Sequence, residues 1–149
     1  SEAYSLLIRA TRNCPWNRCE FCPQFKGQRF ELRSVEEIKH DIEVAGIIRN
    51  EIGILAGKMG YVGRTREVAA MLYSDPRYNA SVRNVALWLY GGEETVFLQD
   101  ANTLIMRTPE LVQVLAFVKE TLPQVTRITS YGRSKTAAKK SVSELRELQ

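Results

Sequence analysis

The segment YSLLIRATRNCPWNRCEFC, residues 4–22, joins a short apolar run to a loop that carries all three cysteines of the chain. Tyr4 to Ala10 is brief and largely apolar, the pattern of a strand buried in a parallel sheet. Cys14, Cys19 and Cys22 follow at once, and Pro15 favours a compact loop around them. Three thiols cannot pair into a closed disulfide set, and a reducing compartment keeps them as thiols in any case. Unpaired thiols gathered this closely point to a metal.

Outward from this loop, the pattern alternates between helix and strand. Ser34-Val35-Glu36-Glu37 forms a capping box, and Val35, Ile38, Ile42 and Ala45 keep helical spacing, so a helix is expected over 35–50. Four glycines in 53–63 are expected to break it. Thr65 is the expected cap of a second helix, stopped by Ser74-Asp75-Pro76, and a third runs from Ser81 to Tyr90 and stops at Gly91-Gly92. Thr95 to Leu98 reads as a strand ending in Gln99-Asp100-Ala101-Asn102. Thr108-Pro109-Glu110 opens a helix with threonine at its cap, and Val125 to Ser130 is the third strand. A short helix near 135–140 and a capping box at Ser141 to Glu144 complete the chain.

This order implies an α/β fold: parallel strands in sequence along one sheet, joined by helical crossovers. The cysteine loop and Asp100 are expected at its C-terminal edge, and the third strand at a free edge. Residues 1–149 read as one domain, the first half of a larger (β/α) barrel. Composition agrees with a globular chain, 44% apolar and 26% charged. No apolar run approaches the roughly 20 residues of a membrane span, and the first residues lack the pattern of a signal peptide. A cytoplasmic location without membrane association is the default expectation. The chain carries a net charge of +4, and positive charge gathers at 127–140 and 26–33, which solvated helix faces explain as well as nucleic acid does.

Four residues separate Cys14 from Cys19, and two separate Cys19 from Cys22. Zinc is one candidate, since paired thiols at such spacing are common in structural zinc sites. A closed zinc site needs four protein ligands, however, and His40, the single histidine, lies within the expected first helix. A non-catalytic zinc module completed by an outside ligand, as in association with nucleic acid, is therefore the alternative. A three-thiolate site with one open position suits a cluster that binds something else.

Here the chain resembles the radical S-adenosylmethionine (SAM) superfamily. The likeness rests on CPWNRCEFC directly after the first strand, with an aromatic residue before the last cysteine. It extends more loosely through RSVEEI, VFLQDAN and ITSYGRSK. The resemblance implies the N-terminal portion of a partial TIM-type barrel. It also implies that Cys14, Cys19 and Cys22 hold three irons of a 4Fe–4S cluster, whose fourth iron chelates SAM. The implied reaction is reductive cleavage of SAM to a 5′-deoxyadenosyl radical, which takes a hydrogen atom from a substrate. An electron donor such as flavodoxin or ferredoxin would supply the cluster. The commonest family pattern has three residues in the first gap, and the four found here leave the reaction unassigned.

By the same resemblance, Phe21 is expected near the adenine of SAM. Gln99 and Asp100, after the second strand, occupy the place where the family binds the SAM ammonium. Ser130 and Arg133 end the third strand on the same side, and a guanidinium at Arg133 suits the SAM carboxylate. Gly91-Gly92-Glu93 imitates the family's glycine-glycine-glutamate element, but it precedes the strand and serves as a helix stop. Trp16 and Phe25 are expected to be packing residues, and Lys26 and Arg33 to face solvent.

Overall fold

The computed structural model describes residues 2–149. A core sheet of three parallel strands, β1 (Leu6–Arg9), β4 (Thr95–Gln99) and β5 (Arg127–Ser130), runs in the order β1-β4-β5. Leu6 to Arg9 stand opposite Val96 to Gln99, and Thr95 to Leu98 stand opposite Arg127 to Ser130. The expected α/β class and parallel order are thus present. Two further strands, β2 (Thr11–Arg12) and β3 (Glu31–Leu32), form an antiparallel pair that the sequence reading did not anticipate.

The first crossover carries α1 (Val35–Lys58), α2 (Thr65–Ser74) and α3 (Ala80–Tyr90), and the second carries α4 (Thr108–Thr121). Two short helices close the chain, α5 (Ser134–Ala137) and α6 (Val142–Glu147). Because strand order follows chain order without reversal, right-handed crossovers place successive helices on the same face of the sheet. Leu6, Ile8, Val96 and Leu98 alternate onto that face and share one core with Ile38, Ile42, Trp88, Val114 and Val118. The opposite face is lightly covered. There Phe97 is buried beneath Tyr131, whose ring meets it edge-on at 4.9 Å between centroids.

Four expectations need correction. Helix α1 passes straight through Gly53 and Gly57 and ends only near Gly60, at φ +81. Ile52 and Ala56 carry its buried stripe onward, and that packing outweighs the weak helix propensity of two exposed glycines. Thr65 is not a cap, because Arg64 already accepts from the Glu67 amide and Thr65 is the first helical residue. Thr108 likewise lies inside α4, where its buried hydroxyl donates to Glu144 and accepts from Lys140 Nζ, tying α4 to the C-terminal helix. Arg33 does not face solvent: its side chain is 8% exposed and donates to Asp41 and to the Arg9 and Glu37 carbonyls.

Both capping boxes form as expected, at Ser34/Glu37 and Ser141/Glu144. Gly91 is required on steric grounds, since a Cβ there would lie 2.5 Å from that of Tyr4. Among the described residues, no helix is long and apolar enough to cross a membrane.

Candidate functional site

The parallel strands all end on one edge, and the chemistry-bearing residues collect there. Residues 13–30 leave β2 and return through β3 with no regular secondary structure between. The two-residue ladder from Thr11 to Leu32 and from Arg12 to Glu31 closes the base of this loop. Arg12 reinforces it by pairing with both Glu31 and Glu37. Within the loop, the side-chain amides of Asn13 and Asn17 donate to the carbonyls of Arg29 (2.7 Å) and Gln28 (3.1 Å). Both asparagines adopt positive φ, a backbone state that Asn tolerates better than most residues.

Cys14, Cys19 and Cys22 lie on this loop as free thiols of intermediate burial. The Cys22 amide donates to the Cys19 carbonyl at 3.4 Å, so the last two cysteines flank one turn. Among the described residues, no three His, Cys, Asp or Glu side chains converge into a group ready to hold a metal. The donor set itself suits a thiolate-held centre: three unpaired sulfurs on nine residues of loop. His40 does not supply a fourth donor, being 73% exposed on α1 beside Glu43.

The other expected residues occupy the same edge, but with partners of their own. Asp100, only 9% exposed, accepts from the Asn13 backbone N–H (2.8 Å) and meets Arg9 Nε at 3.4 Å. Its own N–H donates to the buried Thr11 hydroxyl at 3.2 Å. Gln99 ends β4, where its carbonyl accepts from the Ala10 amide. The Ser130 hydroxyl is directed at the Leu98 carbonyl, 3.0 Å away. Arg133 stacks over Trp16, with its guanidinium 4.4 Å from the ring centroid, and Arg18 approaches the same ring at 5.4 Å. Trp16, 41% exposed, is therefore no core packing residue: it couples the cysteine loop to the end of β5. Phe21 stands 88% exposed on the loop.

Asn102 supports this edge from below. Fully buried, it accepts from the Arg133 amide and donates to the Thr136 hydroxyl, so the segment after β5 is pinned to the segment after β4. Tyr131 is held above its usual phenol range, chiefly by a hydrogen bond to the Glu2 carboxylate.

Comparison with protein-family models, with curated proteins and with solved structures finds no match. The site must be read from its own geometry. Glu93, the acidic residue of the misleading glycine pair, lies at the start of β4, paired with Arg49 and Gln124 at the opposite edge from the cysteines. Asn13, Thr11 and Arg9 are the participants that sequence reading missed. No signal in the sequence marks them, because their meeting with Asp100 depends on β4 lying beside β1.

Proposed function

We propose that this chain is the N-terminal portion of a radical SAM iron–sulfur enzyme, built on the first strands of a partial (β/α) barrel. The observation that carries this reading is the location of the thiols: three unpaired cysteines on one loop at the C-terminal edge of a parallel sheet. Ligand sites of parallel α/β folds gather at that edge. A sheet that winds in one direction with its helices on one face is also the way a barrel begins.

In this reading Cys14, Cys19 and Cys22 would hold a 4Fe–4S cluster as thiolates, three protein ligands for four irons. The cluster, when bound, supplies the electron that cleaves SAM and so gives the radical that takes hydrogen from a substrate. The chain's own residues do the rest. The loop ladder and the Asp100 contacts tie the loop to the sheet, Gln99, Ser130 and Arg133 stand at the edge on which SAM would bind, and Phe21 is exposed on the loop. An electron donor such as flavodoxin or ferredoxin, and a substrate bound by elements beyond these strands, complete the proposal.

Anaerobic reconstitution with iron and sulfide tests it. About four irons per chain are expected, as the cluster type requires, together with the brown colour of iron–sulfur charge transfer. Cys14→Ala, Cys19→Ala and Cys22→Ala should each abolish uptake. Tight zinc binding with no uptake of iron would instead support the zinc module.

A further inference from the structure

Asp100 stands where the sequence suggested a ligand for the SAM ammonium, yet its carboxylate is already engaged on both oxygens. We propose that Asp100 is the positioning residue of the cysteine loop, fixing the chain immediately before Cys14, and is not a ligand of the cofactor. This rests on reading the three cysteines as one cluster site.

Arg9, Thr11 and Asn13 succeed one another at alternate positions as the chain leaves β1 for the cysteine loop. Asp100, at the end of the neighbouring strand, meets all three. Its Oδ1 faces Arg9, its backbone N–H donates to Thr11, and its Oδ2 accepts from Asn13. At Asn13 the backbone turns to φ +64 and leaves the strand direction, and the next residue is Cys14. The bond from Asn13 to Asp100 thus sits at the point where the sheet hands the chain to the loop.

The remaining hydrogen bonds of Asn13 and Asn17 stay within residues 13–30. They shape the loop without fixing it to the sheet. Trp16 reaches Arg133, but that contact is a stacking between partly exposed groups and constrains position weakly. A hydrogen bond from a backbone amide to a buried carboxylate is among the stronger single contacts a protein makes. With one contact already on each oxygen and only 9% of the residue exposed, little of the Asp100 carboxylate is open to an incoming ammonium. The geometry therefore favours a fixed structural partner over an exchangeable ligand.

Two substitutions separate these roles. Asp100→Ala removes every side-chain contact. Asp100→Asn keeps an amide oxygen able to accept from Asn13 while removing the charge opposite Arg9. In the metal-free, reduced chain, alkylation of each cysteine by iodoacetamide is followed by mass spectrometry. Asp100→Ala should label Cys14 on the order of tenfold faster relative to Cys22, since a hydrogen bond to a charged group is worth at least that factor. Asp100→Asn should recover most of the protection, and iron uptake should follow the same order. In the unmodified protein, the Asn13 amide should exchange hydrogen more slowly than the other amides of residues 13–22, a readout that depends on no variant folding.

The proposal is overturned if Asp100→Ala labels and loads iron like the parent but no longer binds SAM, which makes Asp100 a ligand. It is equally overturned if the Asn13 amide exchanges as fast as its neighbours. Should the parent chain load no iron while the labelling order holds, the positioning role stands and the cluster reading falls.

Discussion

Asn84 shows how a single side chain can finish a sheet. β1 is an edge strand of the core sheet, and its Leu7 has backbone groups with no strand partner on that side. From α3, the Asn84 side chain supplies both missing partners: its oxygen accepts from the Leu7 amide at 3.3 Å and its nitrogen donates to the Leu7 carbonyl at 3.0 Å. An amide group has the donor and acceptor geometry of a peptide, so it can end a ladder that would otherwise invite another chain. Asn84→Ala should therefore destabilise the fold by about 1–3 kcal/mol, the usual cost of stranding such groups. Urea denaturation reads this as a lower midpoint at unchanged slope, and an unaltered midpoint would show that water replaces the side chain at no cost. Arg33 makes the same point about charge. It reads as a surface residue in the sequence, yet it is buried because two backbone carbonyls and Asp41 surround its guanidinium.

Among the elements, both capping boxes hold glutamates whose pKa lies below the usual 4.5, with the hydrogen bond from the cap residue's backbone as the largest cause. A carboxyl that is more acidic in the folded state adds stability above its unfolded pKa and loses it as pH falls through the lower folded value. Acidification below about 4.5 should thus loosen the starts of α1 and α6 before the core responds. Far-UV circular dichroism against pH checks this. Glu37→Gln, which keeps an acceptor without a titrating proton, should flatten the α1 part of the transition, and an identical acid profile in that variant would place the effect elsewhere. Ser34→Ala should cost ~1 kcal/mol at neutral pH by removing the cap itself. These elements were legible in the sequence because capping chemistry and apolar spacing are local. The β2–β3 pair was not, because two residues carry no period, and only the register of the folded chain sets Arg12 opposite Glu31. The length of α1 was missed for a related reason. Glycine propensity is visible in the sequence, whereas the packing of Ile52 and Ala56 that overrides it is not. At the site, the cysteines stood out by spacing, but the partners of Asp100 depend on which strand lies beside β1.

Across the whole molecule, the sheet winds one way, its helices lie on one face, and the loop with three thiols crowns the edge where the strands end. Asp100 holds the start of that loop above β4, and Arg133 meets it above β5, so the loop spans the mouth of the sheet. The opposite edge carries Glu93 with Arg49, well away from these groups. The proposed function requires the three thiols to hold a cluster that SAM can bind. Electron paramagnetic resonance of the anaerobically loaded and reduced protein tests it most directly, recorded before and after SAM is added. The expected result is the signal of a reduced 4Fe–4S cluster that changes shape on addition of SAM. A signal that SAM leaves untouched, or a protein that takes up zinc and shows no cluster signal, would contradict it.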